Sequence, residues 1–239
     1  MNDLLAFALE AHGGLEQWRK FTQLEADLSI TGAIWTFKGQ PDVLKSIYLQ
    51  ASTQTQRVLI RPLGQSGLGS VMEQGHLSLV DAHGAIAEQL ASPLSAFAGH
   101  TAESQWGLVH VAYFSSYAVW GYLTSPFLYT SPGFTTQEIA PWQESGETWR
   151  RLQINFPQHL ARHCPQQVSY FGPDGLLRRH DYQVEILGGA TGANYAYDYE
   201  DFAGIKVATR RRIHAYDAEG QKVEQPLLVS IDVKRLSFT

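Results

Sequence analysis

A chain of 239 residues, 44% of them hydrophobic and 12% aromatic, has enough apolar material for a large core, which excludes a disordered segment over most of its length. The formal net charge of -5 excludes the basic surface expected of a nucleic-acid-binding domain. The single basic run, Arg210-Arg211-Arg212, sends its members alternately to opposite faces if it lies on a strand, so it forms no continuous basic patch.

The first residues, Met1-Asn2-Asp3-Leu4-Leu5, carry an early acid and no basic segment, unlike a secretory leader. Asn2 or Asp3 can cap a first helix with Leu4, Leu5, Ala8 and Leu9 on one side, ended by Gly13-Gly14. A short second helix reaches Trp18. Strands then begin: Leu24, Ala26, Leu28 and Ile30 alternate with polar residues, the period of a half-buried strand. Segments 33–38, 43–51, 56–62, 69–74, 77–81 and 86–90 continue the pattern as strands. Residues 92–129 interrupt it as a helical insertion. The apolar stretch within it is broken by His110, Ser115, Ser116, Gly121, Thr124 and Pro126, so it is no membrane-spanning helix.

From Glu147 onward the strands resume at 149–156, 167–171, 176–186, 194–199, 205–216 and 227–236. Turn chemistry separates several of them, in Gly172-Pro173-Asp174-Gly175, Gly188-Gly189 and Asp217-Ala218-Glu219-Gly220. Cys164 is the only cysteine, so no intrachain disulfide exists and the expected compartment is the cytoplasm. The expected fold is mainly β with a few helices: one domain over 1–239, a curved antiparallel half-barrel with helices on its concave face.

A helix closed by His12-Gly13-Gly14, then Trp18, then the alternating strand 24–31, resembles the opening of the lipoprotein-carrier and lipoprotein-receptor (LolA/LolB-like) superfamily. The late segments 174–182 and 199–205 resemble the paired strands near the end of that fold. The resemblance implies an unclosed antiparallel barrel with helices filling its mouth and an apolar cavity between them. The chain departs from the exported members in lacking a leader and a lipid-attachment cysteine near its start, and in carrying Ala208 where Pro often stands. These departures imply a cytoplasmic-looking branch.

Three residue sets carry candidate chemistry. In the strand from Leu176, alternation places Arg178, His180 and Tyr182 on one face and Arg179, Asp181 and Gln183 on the other. If the first face lines a cavity, His180 and Tyr182 are an acid and base pair; if it faces water, its charges pair with neighbouring strands. On the later strand Arg210, Arg212, His214 and Tyr216 share a side. Beside the first strand, Arg178, Arg210 and Arg212 would hold a carboxylate or phosphate; otherwise they form an exterior ladder of charge pairs. On the insertion helix His110, Tyr113, Tyr117 and Trp120 fall on one side and form either a cavity wall or core packing. Trp142, after Pro141, closes a mouth or anchors a loop.

No histidine pair has metal-ligand spacing with an acid nearby, and no Gly-rich phosphate loop or nucleophile elbow occurs, so neither metal nor cofactor is expected. The expected partner is an apolar or amphipathic, lipid-like small molecule, with acid–base catalysis on such a molecule and a protein-interaction module as the alternatives.

Overall fold

The Asn2 carboxamide oxygen accepts the Leu5 amide at 2.8 Å and so starts α1 (Asp3–Ala11), which buries Leu4, Leu5, Ala8 and Leu9 along one stripe. The computed structural model describes residues 2–239, so Met1 lies outside the described residues. Gly13 follows with φ +117°, and a Cβ there would overlap the Gly204 carbonyl oxygen. This close approach lets the His12 carbonyl accept the Lys206 amide at 3.0 Å, tying the helix to the far end of the chain. Gly13→Ala is expected to cost about 2 kcal/mol or more, read as a lower denaturant midpoint, because it meets both a forbidden φ and a backbone clash.

After α2 (Leu15–Trp18), β1 (Gln23–Thr31) alternates as expected, with Leu24, Ala26, Leu28 and Ile30 buried. Residues 33–38, expected as a strand, instead form α3 (Ala33–Phe37). Gly32, at φ +122°, turns the chain out of β1, and the Ala33 and Ile34 amides bond to the Leu227 and Leu228 carbonyls. Ile34 and Trp35 are both buried there. A six-residue window with two apolar turns of either period does not distinguish helix from strand.

A meander follows in β2 (Ile47–Ser52), β3 (Arg57–Arg61), β4 (Gly69–Glu73), β5 (His76–Val80) and β6 (Ile86–Leu90). The expected insertion resolves into a 3-10 turn (Pro93–Phe97), an irregular stretch 98–107, α4 (Leu108–Thr124) and a second 3-10 turn (Phe127–Thr130). The later strands are β7 (Thr135–Glu144), β8 (Glu147–Asn155), β9 (Gln166–Phe171), β10 (Leu177–Val184), β11 (Ala190–Phe202), β12 (Ile205–His214) and β13 (Val229–Phe238). Among these, β7 was not anticipated: its burial follows no clean alternation because its register slips between Ile139 and Trp142.

All 13 strands form one antiparallel sheet in the order β6-β5-β4-β3-β2-β1-β13-β12-β11-β10-β9-β8-β7. The first and last strands of the chain meet at its middle, with Ile30 opposite Ile231. β6 and β7 are left as unpaired edges, so the sheet curves without closing. α4 lies in its concavity, with every residue from Val111 to Trp120 buried. Such an all-round apolar helix is stable only when surrounded. No helix among the described residues is long and apolar enough to cross a membrane.

Candidate functional site

Tyr122, near the C-terminal end of α4, is the point where the space between helix and sheet is not filled. It lines three small cavities of about 60, 20 and 10 Å³. The first is walled by apolar side chains including Ile34, Phe114, Val184, Ile213 and Ile231, and reaches the half-exposed Leu187 and Leu228. The second holds Tyr117, His163, Gln167 and His180, and the third His12, Tyr199 and Arg211. Among the described residues these cavities do not amount to the spacious apolar chamber that the resemblance implied. Even 60 Å³ holds only a few waters and falls far short of the roughly 300 Å³ at which small-molecule sites begin. The side chains of α4 occupy the difference.

The polar groups between the cavities are tightly linked. Tyr182 projects from β10 to the Tyr122 hydroxyl, which also meets His163 Nε2 at 2.8 Å. The His163 ring stacks on Tyr182 with centroids 3.8 Å apart. On the neighbouring strand Gly192 makes room for this: a Cβ there would overlap the Tyr182 ring. Burial raises the pKa of Tyr117, Tyr122 and Tyr182, so all three stay protonated.

His180 stands opposite Ser169 in β9. Its Nε2 meets the Gln167 carboxamide oxygen at 2.7 Å, an acceptor, so Nε2 carries the proton. Its Nδ1 then accepts from Ser169 at 2.9 Å, and Ser169 accepts from Tyr129 at 2.9 Å. Burial, with the nearby Arg211 charge, lowers the His180 pKa to about 3. Burial likewise lowers His12 to about 4, with Ala8 opposing and Arg211 assisting, and lowers His163 well below its ordinary value, with His180 assisting.

Other buried polar atoms have no partner among the described residues. The Arg211 side chain is enclosed on the concave side of β12, where Nη2 donates to the Tyr122 carbonyl at 2.9 Å while Nε and Nη1 are unpaired. Both amide atoms of Asn194, the Tyr117 hydroxyl and His163 Nδ1 are unpaired as well. A cluster of this kind around one tyrosine is rare in a purely structural core, where buried polar groups are overwhelmingly bonded.

The sequence-predicted residues divide sharply. His180 and Tyr182 face the concavity, but not as an acid and base pair: each is bonded to other partners, and both nitrogens of His180 are occupied. Arg178 does not share their face. A register shift between Leu177 and Arg179 turns it to Glu147 and Asp174, at 3.3 and 3.0 Å. Arg210 and Arg212 do not join it either, because β11 lies between their strand and β10. They pair with Asp198 and Asp232, at 2.6 and 2.8 Å, and so form the exterior ladder.

On α4, Tyr117 and Trp120 line the second cavity, with Trp120 Nε1 donating to the Ser52 carbonyl at 2.9 Å. Tyr113 packs on Phe97 and Tyr117. His110 caps the start of α4, its Nδ1 accepting the Gly107 amide at 3.0 Å, and is not a cavity wall. Trp142 closes no mouth. It stacks over the guanidinium of Arg179, in a second aromatic cluster with Trp149, Tyr170 and Tyr195 on the opposite side of the sheet.

Arg211, Asn194, Tyr122 and His163 escaped sequence reasoning. Arg211 had one signal, its place as the opposite-face member of the Arg run; the others had none. Among the described residues no group of three His, Cys, Asp or Glu side chains stands close enough to hold a metal ion. Outside the concavity, a cleft of about 470 Å³ opens over Trp120, Leu128, Phe134 and Leu160, and Trp120 separates it from the second cavity.

No family model matches the chain, and no curated protein matches it. Solved structures do. A DUF1329 family protein from Desulfovibrio piger is 12% identical, with 99% of this chain and 94% of that one covered at a TM-score of 0.56. A LolA superfamily protein from Nitrosomonas europaea is 9% identical, with 97% and 92% covered at 0.55. A domain from Vibrio parahaemolyticus described as an outer membrane lipoprotein-sorting protein is 10% identical, with 96% and 93% covered at 0.53. The chain therefore shares its curved, unclosed fold with these solved structures over nearly its whole length.

Proposed function

We propose that the protein binds an apolar or amphipathic, lipid-like small molecule between the curved sheet and α4. The observation that carries this reading is the set of cavities that meet at Tyr122, one apolar, one mixed and one polar, under a helix held in the concavity. The fold shared with a domain described as a lipoprotein-sorting protein supports the same class of ligand. The enclosed volume requires α4 to move when a ligand enters, and the cleft over Trp120, rimmed by Gln54, Gln56, Glu73 and Gln74 with Leu128, Phe134 and Leu160 inside, offers an amphipathic approach within the usual size of a ligand pocket. Acid–base catalysis is the weaker reading, since His180 has no free nitrogen with which to take a proton.

Native mass spectrometry of the purified protein, after incubation with a long-chain alcohol or fatty acid, tests the reading directly. A retained 1:1 adduct is the expected result. Ala118 lines both the apolar and the second cavity, so Ala118→Phe fills the space into which a ligand would grow. That variant is expected to lose roughly tenfold or more in affinity while costing about 1–3 kcal/mol of stability through overpacking. Absence of any adduct with the unsubstituted protein, or full affinity in Ala118→Phe, would sink the reading.

A further inference from the structure

Arg211 has a charge that no carboxylate among the described residues answers; it meets only the ring and the carbonyl of Tyr122. Its side chain is enclosed, it makes no ion pair among the described residues, and its central carbon lies over the Tyr122 ring, 5.5 Å from the centroid. Of its nitrogens only Nη2 has a partner, the Tyr122 carbonyl; Nε and Nη1 are unpaired in a pocket of about 10 Å³. The other arginine of comparable burial, Arg179, is met by Asp181, Glu144, Tyr195 and the Gly220 carbonyl. The same sheet thus holds one buried guanidinium that is fully matched and one that is not. An isolated buried ion costs several kcal/mol, a cost a fold keeps only where something offsets it.

We propose that Arg211 is the anchor for the anionic head of the bound molecule, a carboxylate, so that the ligand class is a long-chain carboxylic acid rather than a neutral lipid. This rests on the ligand-binding reading above. Several features of the pocket favour a single negative charge on a small head. One enclosed cation faces it, and Lys206, the other cation near this pocket, is exposed and leaves no second buried positive group for a dianion. The apolar cavity that Tyr122 also lines takes the start of the chain, and the same movement of α4 that admits the ligand must widen the space beside Arg211 for its head.

Palmitate and hexadecanol share a chain and differ in the head, so their affinities for the same protein isolate the charge. The unsubstituted protein is expected to bind palmitate roughly tenfold or more tightly than hexadecanol, the scale of one charge-assisted contact. In Arg211→Met that preference should close to within about threefold, and in Arg211→Lys it should persist in part. Replacing an unmatched buried cation by an apolar side chain of similar length is tolerated by folds, and a circular dichroism spectrum checks that Arg211→Met has kept the sheet. Equal binding of the two ligands by the unsubstituted protein overturns the assignment and leaves the lipid-binding reading standing. Binding of neither overturns both.

Discussion

Lowering the pH from 7.5 to 5 is expected to destabilise the protein by roughly 4 kcal/mol through His12 and His180 alone. Both rings are buried and neutral, with pKa values lowered to about 4 and about 3 from the ordinary 6.5. Above pH 6.5 the folded and unfolded chains hold the same number of protons on these groups. Below it the unfolded chain takes them up and the folded chain does not, so acid favours unfolding until the pH falls past the folded values. Each histidine contributes about 1.4 kcal/mol per pH unit in that window.

His163, lowered well below its ordinary value by burial and by His180, acts in the same direction. Glu138, Glu147 and Asp198, held below their ordinary values chiefly by hydrogen bonds from Arg150, Trp149 and Arg210, act outside this window, whereas Asp181, raised by burial, opposes the histidines as the pH falls. Urea unfolding at pH 7.5, 6.5, 5.5 and 5 measures the effect. In His180→Gln the slope with pH should fall by about 1.4 kcal/mol per unit. A midpoint that does not move between pH 7.5 and 5 would show that these rings are not neutral and enclosed as described. Stability losses of this size approach the whole of a typical domain's 5–15 kcal/mol.

Arg179→Met is expected to cost about 3–5 kcal/mol, because it strands the negative charges the arginine now answers. The guanidinium is wholly buried and forked onto Asp181 at 2.6 and 2.8 Å, with Glu144 at 3.1 Å and the Gly220 carbonyl at 2.7 Å. The rings of Trp142, Tyr170, Tyr195 and Tyr216 close around it, with centroids 5.0 to 5.8 Å from its central carbon. Burial is the largest influence and opposes the charge, but Asp181, Tyr195 and Tyr170 together hold the arginine above its ordinary pKa, while burial also pushes Asp181 up against Arg179's pull. The penalty comes mainly from unpaired Asp181, so removing that carboxylate as well should return much of it. The double variant Arg179→Met, Asp181→Leu is expected to be more stable than Arg179→Met by about 2 kcal/mol or more in equilibrium unfolding. If the two losses simply add, the pair is not coupled and the aromatic enclosure alone holds this side of the sheet.

These two arginines, Arg179 and Arg211, were visible in the sequence only as letters in charged strands. Alternation separates the two faces of β10 and β12 correctly in principle, since a strand repeats every two residues. It does not say which face turns inward. The register shift after Leu177 moved Arg178 away from His180 and Tyr182, and no local pattern marks such a shift. Residues 33–38 failed for a related reason: their pairing partners lie almost two hundred residues away at Leu227 and Leu228, and those contacts made the segment a helix.

The strand and turn alternation, the Asn2 cap, the close of the first helix at Gly13-Gly14, and through them a curved antiparallel sheet with a helix set into it, were all legible in the order of residues. Those features depend on the conformational preferences of residues a few positions apart. That α4 fills the concavity, that Tyr122 joins three small cavities, and that one arginine has found its carboxylates while the other has not, emerged only on folding. Burial, and the answering or stranding of a buried charge, depends on groups brought together from distant parts of the chain: Glu144 and Gly220 for Arg179, Tyr122 for Arg211.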